Sequence, residues 1–588
     1  MRLRVAVLRR PSIGAALPRL SLPRLLAGGG RGEGCRPRDV RIEQAIPVSF
    51  DWIEGKELIA IVGPPGTGKT YTLLQLALGG AEVRVTLEQP VVYFTFVKAM
   101  VKDAERRARE TGVLLHAATV HAAGARALAA AEGARVSELL INLKPAGSGL
   151  ICGKYDLCDA PHGWCLGVEE SIEVLRACAA RRYEIEYSHD PYTPAEGNQL
   201  FQLFDYAIHV AGNAGAAQLL RQLPPRCAAA IEDYLQLLRE LGRYDFTTAL
   251  LEAYRRRLPY QVCERNVCSD VGVALVDEAH DLSPLMWAFL SHALPEAKAA
   301  AFALDVYQTV YESLHGARPE FGAALISRVR ELGGRVLYLE QSRRVAARVA
   351  EVAKLALPPG ADPEYLKWRG REGGGDVYLI ALDKMLRLVA QLVAERRKVF
   401  VLAPTNADVI WAAVRLLHVG IIPRGLKDMP VAVCRRLVLA RDMACARAGL
   451  AQPRKGARDP DALKLMLSLA RRFDYAKLGL PSPWGLVCRY LNRAAAALRC
   501  ARELSLPEDD SVVLPGVPEV YVDTPYTAKG LEADAVFIIN RLSFDVEVSP
   551  LVQYVALTRS RGDVYIVAAP GKRRWISPAV LAQAKRLQ

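Results

Sequence analysis

Eight residues, Gly63-Pro64-Pro65-Gly66-Thr67-Gly68-Lys69-Thr70, have the types and spacing needed to hold a phosphate chain. Glycine lets a loop turn its backbone N–H groups inward around an anion, through positive φ angles and close approach. Lys69 adds a point charge at the β/γ-phosphates, and the Thr70 hydroxyl is a hard oxygen ligand for Mg²⁺. An apolar run at 58–62 precedes the loop and a helical pattern at 71–77 follows it. Strand, glycine loop and helix in that order place a helix N-terminus behind the anion. The residues therefore predict a nucleoside-triphosphate site that takes Mg²⁺.

A second chemical signal ends the apolar run at 271–276, where Asp277 and Glu278 stand side by side. At the mouth of a sheet, Asp277 can hold the Mg²⁺ and Glu278 can orient and deprotonate an attacking water. Gln44, upstream of the loop, carries an amide that can read adenine. Cys152, Cys158 and Cys165, with His162 among them and Cys178 beyond, are candidate zinc or iron–sulfur ligands. Their intervals exceed a tight C-x2-C knuckle, and single cysteines equally serve as small buried hydrophobes.

The elements that must position these groups follow from the pattern of apolar runs. The chain of 588 residues is too long for one core, and 51% hydrophobic content excludes global disorder. No apolar run approaches a membrane span. The formal charge of +14 suits a polyanionic partner. Twelve cysteines in so long a chain do not read as a secreted disulfide scaffold, and a cytoplasmic protein is expected. Residues 1–40 hold nine arginines against Glu33 and Asp39. A targeting segment, a basic arm and a true start further in all fit that composition; we take it as a disordered basic tail. Short buried runs near 91–96, 272–276, 301–304 and 336–339, and again near 398–402, 520–522, 536–539 and 564–567, predict an α/β fold. It has two doubly wound modules, each with a helical insertion. The expected division is 41–124 with 266–345, then 346–424 with 516–588, the insertions being 125–265 and 425–515.

The ordered set of segments resembles superfamily 1 helicases of the UvrD/Rep type from about Gln44 to Val567. The resemblance is carried by the phosphate loop, Thr95-Phe96, Thr119-Val120-His121, Asp277-Glu278-Ala279-His280-Asp281, Gln308 with Tyr311, and Leu339-Glu340-Gln341-Ser342-Arg343-Arg344. It continues through Thr524-Pro525-Tyr526-Thr527-Ala528-Lys529-Gly530-Leu531-Glu532 and Tyr554-Val555-Ala556-Leu557-Thr558-Arg559-Ser560-Arg561. It implies that the two modules are RecA-like and that the chain is a DNA-dependent ATPase. Single-stranded DNA and duplex junctions are the implied partners, with 3′→5′ movement. Gln308 would sense the γ-phosphate, which Arg344 and Arg559 would reach across the cleft. Gly530 and Glu532 would lie at the nucleotide, Glu532 on the ribose. Phe96 and Tyr311 would stack on bases, while Thr95, Thr119, His121 and Thr524 would contact the strand. DNA repair, recombination or replication restart is the implied setting.

Several positions depart from the family pattern. His280 stands where Gln is usual, Arg343 where a Tyr stacks on adenine, and Tyr526 where His is usual. After Tyr311 the spacing is one residue longer, through Ser313-Leu314-His315-Gly316, which removes one expected stacking aromatic. The second insertion is shorter than the family's usual accessory domain. An RNA-directed motor and an ATP-gated remodelling subunit without robust unwinding remain alternatives.

Overall fold

The computed structural model describes Cys35 and residues 40–78, 90–96, 98–111, 115–141, 171–188, 195–264, 267–425, 431–451, 459–471, 481–497 and 519–587. Two six-stranded parallel sheets dominate it. The first is built from Glu57–Val62 (β1), Val91–Thr95 (β2), Leu115–Thr119 (β3), Val273–Val276 (β6), Ala299–Leu304 (β7) and Arg335–Tyr338 (β8), in the order β3-β2-β6-β7-β1-β8. Between β3 and β6 a hairpin pairs Gln261–Glu264 (β4) with Val267–Asp270 (β5). Beyond β8, Gln341–Ala346 (β9) pairs with Arg369–Arg371 (β10). The second large sheet contains Val377–Ala381 (β11), Val399–Leu402 (β12), Val520–Asp523 (β13), Ala535–Asn540 (β14), Val564–Ala568 (β15) and Lys585–Arg586 (β16), in the order β13-β12-β14-β15-β11-β16.

Strands covered on both faces read as continuous apolar runs. That is why β7, β12 and β14 are buried at every position. Because all strands in a sheet run the same way, their C-terminal ends share one edge, where crevices for ligands form. The phosphate loop leaves β1 at that edge, Asp277 leaves β6 and Asp305 leaves β7. Thr95 and Thr119 stand in register at the ends of β2 and β3.

Among the described residues, helices dominate the stretch between β3 and the hairpin, with Glu196–Gln222 the longest of them. Its non-helical break at Gly212, with φ 58 and ψ −139, is a conformation only glycine adopts cheaply. Arg176 pins three segments there: its guanidinium sits 2.8 Å from Asp205 and 3.4 Å from Asp245, over the rings of Phe201 and Tyr234. The helices Val431–Arg447, Pro460–Ala470 and Trp484–Ala497 pack Leu437, Leu465 and Leu491 into one core with Val399, Val401 and Phe537 of the second sheet.

Two features depart from the sequence expectation. The hairpin lies within and just beyond a region expected to be helical; its strands are four residues each, too short to show a period. Disulfides join Cys35 to Cys227, Cys263 to Cys268 and Cys445 to Cys488, where pairing was not expected. Among the described residues, no helix is long and apolar enough to cross a membrane.

Candidate nucleotide and nucleic-acid site

The phosphate loop is held open by its own chain and by its neighbour. Gly66 has φ +76, and a Cβ there would lie 2.5 Å from the Arg344 Cβ, so the position demands glycine on both counts. Ser342 Oγ donates to the Pro65 carbonyl at 2.8 Å, and the Arg343 N–H donates to the Gly66 carbonyl at 2.9 Å. Strand β9 is thus clasped onto the loop, which sets Arg344 beside it. Lys69, 6% exposed, folds back to donate to the Gly63 carbonyl at 2.7 Å and stands 4.0 Å from Asp305 Oδ2.

Asp277 is fully buried. Its Oδ2 accepts from Tyr93 Oη at 2.7 Å and its Oδ1 from the Glu278 N–H at 2.9 Å. Burial, then the neighbouring Glu278 charge, pushes its carboxyl up to about 6, while hydrogen bonds from Thr70 and Tyr93 oppose that rise. A buried carboxylate meeting a threonine hydroxyl is the hard-oxygen donor set Mg²⁺ takes, so these residues fit the ion. Glu278 holds a left-handed backbone, φ 51 and ψ 40, which aims its side chain away from the strand direction.

Asp305 is a hub. Its Oδ2 accepts from Gln308 Nε2 at 2.7 Å and its Oδ1 from Tyr365 Oη at 2.6 Å; Tyr365 Oη lies 2.7 Å from Tyr554 Oη. Gln308 then accepts through Oε1 from Arg559 Nη2 at 2.7 Å. A chain of polar contacts therefore crosses from the first module to the helix Pro550–Leu557 of the second and its C-terminal end. Burial, then the adjacent Arg344, holds the Arg559 guanidinium down at about 9. Arg559 is buried and Arg344 partly buried, and their mutual repulsion is one that a multiply charged anion would relieve. Arg344 lies 3.9 Å from Glu532, which also pairs with Arg561.

A second inter-module contact comes from Lys529. Its ammonium donates to Asp281 Oδ2 and to the Gln308 carbonyl, both at 2.5 Å, and sits 3.1 Å from His280 Nε2 and 5.3 Å from the Tyr311 ring centre. Glu278, His280 and Asp281 bring ligand-type atoms within 4.8 Å of one another; the ammonium supplies their counter-charge. Even so, burial pushes the Asp281 carboxyl up to about 7.

Beside this contact lies a group of rings. Phe96 is 5.3 Å from Tyr311 and 4.7 Å from His315; Tyr311 stacks on His315 at 5.5 Å. His315, four residues after Tyr311, thus joins the ring group. His121 Nε2 is 3.4 Å from His209 Nε2, and His209 Nδ1 is 2.9 Å from Ser283 Oγ. Burial holds His121 and His315 at about 4, keeping both rings neutral at pH 7.

The structure brings together Thr70, Lys69, Asp277, Glu278, Gln308, Arg344, Arg559 and Glu532 around the loop, and Phe96, His121 and Tyr311 beside them. Thr95 is buried behind the rings, while Thr119 and Thr524 cap the helices Val120–Glu132 and Pro525–Ala528. Gly530, with φ +80, makes the turn before Glu532. Arg343 is exposed at the loop's rim. Gln44 donates to the Ile46 carbonyl, in a segment bound along Glu196–Gln222, and no hydrogen bond among the described residues carries it to the loop. Cys152, Cys158, Cys165 and His162 lie outside the described residues, whereas Cys178 is buried within the helix Ile172–Arg182. Sequence reasoning gave no role to Asp305, His280, His315, His209 or Tyr365. For Asp305 a signal existed, since it is a carboxylate ending a buried strand three residues before Gln308.

Two parallel-sheet modules, one carrying the phosphate loop and the other reaching Gln308 beside it through Arg559, define a two-module P-loop NTPase. Residues 53–325 match the UvrD/REP helicase N-terminal domain. The match supports a UvrD/Rep-type superfamily 1 helicase, a class that acts on nucleic acid using ATP with Mg²⁺. No curated protein matches it.

Proposed function

We propose that this chain is a motor that moves 3′→5′ along single-stranded DNA and opens duplex junctions, serving repair, recombination or replication restart in the cytoplasm. The observation that carries this is the spacing of Gln308 and Tyr311. Three residues apart, one touches Arg559 across the cleft and the other stands in the ring stack, so nucleotide state and strand grip share one segment. Disulfides accord with a cytoplasmic setting only where the interior tolerates them, as in hyperthermophiles.

In this reading the loop amides and Lys69 hold the β/γ-phosphates, and Thr70 and Asp277 hold Mg²⁺. The ion neutralises phosphate charge when bound. Glu278 is the general base for the attacking water. Gln308 senses the γ-phosphate, and Arg344 and Arg559 stabilise charge in the transition state, which requires the modules to be closed. Arg343 and Gln44 serve the adenine, and Gly530 and Glu532 the ribose side. Phe96 and Tyr311, with His315 beside them, part to stack on bases, a grip that tolerates any sequence because every base has a π-face. Thr95, Thr119, His121 and Thr524 steady the strand. Cys152, Cys158, Cys165 and Cys178 stay candidate zinc or iron–sulfur ligands, to be tested by metal analysis and visible absorbance.

The test is the ATPase rate with single-stranded DNA, single-stranded RNA or neither, across a salt series, followed by strand displacement on forks of either polarity. We expect strong stimulation by DNA that fades with salt as phosphate contacts are screened. Stimulation by RNA alone would overturn the substrate, and none by either polymer would overturn the motor.

A further inference from the structure

We infer that His280 positions Glu278, so that the imidazole, where Gln is usual, sets the aim of the general base. The inference rests on the reading of Glu278 as that base. The His280 ring is fully buried in the closed cleft. The backbone N–H of Asp305 donates to its Nδ1 at 3.0 Å. A ring nitrogen that accepts carries a lone pair, so the neutral ring must carry its proton on Nε2. Burial, then the charges of Lys529 and Lys69, keep the ring neutral. The tautomer is thus fixed by strand β7, an element of the core.

Two groups face that Nε2–H. Glu278 Oε2 lies 3.1 Å away, and so does the Lys529 ammonium. An ammonium offers no acceptor, so the ring proton can be shared only with the carboxylate. Lys529 donates to Asp281 Oδ2 and the Gln308 carbonyl, which engages two of its three protons and fixes its place beside Nε2. Glu278 Oε2 is buried and, among the described residues, has no aligned hydrogen-bond partner. A buried carboxylate oxygen left so is costly, and a small turn of Glu278 toward Nε2–H relieves it. With one oxygen so held, the other is directed to water. Since Glu278 sits on a left-handed backbone, its side chain has no neighbouring strand to steer it, and the imidazole supplies that steering.

The experiment separates the two ring nitrogens. In His280→Gln the amide nitrogen reaches the place of Nε2 and keeps a donor for Glu278. In His280→Asn the side chain reaches only the place of Nδ1, keeping the Asp305 contact and losing the donor. With single-stranded DNA present, we expect His280→Gln to hold kcat within about threefold of the parent. His280→Asn should lose about 10²-fold in kcat with KM for ATP nearly unchanged, the lower end of what general acid–base catalysis supplies. Binding of a fluorescent ATP analogue checks that each variant is folded. Equal rates in both variants, whether high or low, would overturn the inference, since packing alone would then explain the ring. Should His280→Asn fail to fold, a loss above about tenfold in a folded, ATP-binding His280→Gln would overturn it by itself. Glu278→Gln is the control for the underlying reading: if it hydrolyses at the parental rate, Glu278 is not the base. If it is dead while His280→Asn is fully active, only the present inference fails.

Discussion

The cleft between the modules and the helical insertions are held together by different means, although apolar contact also joins the modules, as where Tyr307 meets Tyr365 at 4.5 Å. Across the cleft the described contacts include Arg559 to Gln308, Lys529 to Asp281 and Tyr311 Oη to the Tyr526 carbonyl. All of these are polar, and each donor or acceptor can be exchanged for a phosphate, a water or a nucleic-acid group. The insertions instead carry apolar cores and covalent links. Cys227 lies in the helix Pro225–Glu240, and Cys445 and Cys488 join Val431–Arg447 to Trp484–Ala497. The difference teaches where motion is built in. A surface meant to open and close in each cycle cannot be tied by disulfides, and the polar bonds across it are ones that water or phosphate can replace.

The strongest way to break this comparison is to remove a group on the loop side. Lys69→Ala should abolish turnover, since no other cation among the described residues is seated under the loop carbonyls, and it should leave the melting temperature nearly unchanged. ATPase and thermal unfolding of the same preparation check both halves. A large fall in stability would mean that the Lys69 contacts to Gly63 and Pro64 are structural ones.

Next in size is the arginine that crosses the cleft. Arg559→Ala should lower kcat by about 10³-fold or more, the scale of an arginine finger, with ATP still bound. Arg344→Ala should fall in the same direction, because the two guanidiniums crowd one another and share one anion. If Arg559→Ala loses nucleotide affinity and keeps kcat, the arginine binds the ground state and closure is not required for hydrolysis.

The loop-side groups were legible in the sequence because their chemistry is local. Phosphate binding needs glycines, a lysine and a threonine within eight positions, and water activation needs carboxylates at one strand end. Buried parallel strands such as 299–304 announce themselves as unbroken apolar runs, so the α/β class was legible too. What stayed hidden is every contact whose partner is remote in the chain. Lys529 meets Asp281 across 248 positions, and Tyr365 meets Asp305 across 60. Neither residue is unusual in its own neighbourhood. His315 was hidden for another reason: a lone histidine in a turn carries no local sign that its ring will meet Phe96, more than two hundred positions earlier in the chain. Cys35 and Cys227 are 192 positions apart, and nothing local to either marks the other as its partner.

The smallest effect on turnover, and the sharpest contrast, concerns those cysteines. Each bond constrains the unfolded chain and contributes about 2–4 kcal/mol to stability. Cys445 and Cys488 tie helices that pack on the outer face of the second sheet through Leu437 and Leu491, away from Arg559. Reduction, or Cys445→Ser with Cys488→Ser, should therefore lower the melting temperature by several degrees and leave the DNA-stimulated ATPase rate at 25 °C within about twofold. Unfolding monitored with and without reductant, beside steady-state ATPase, reads both quantities. Loss of ATPase with an unchanged melting curve would sink the division drawn here, because it would show that the second insertion transmits force into the cleft and does not merely brace the module that carries Arg559.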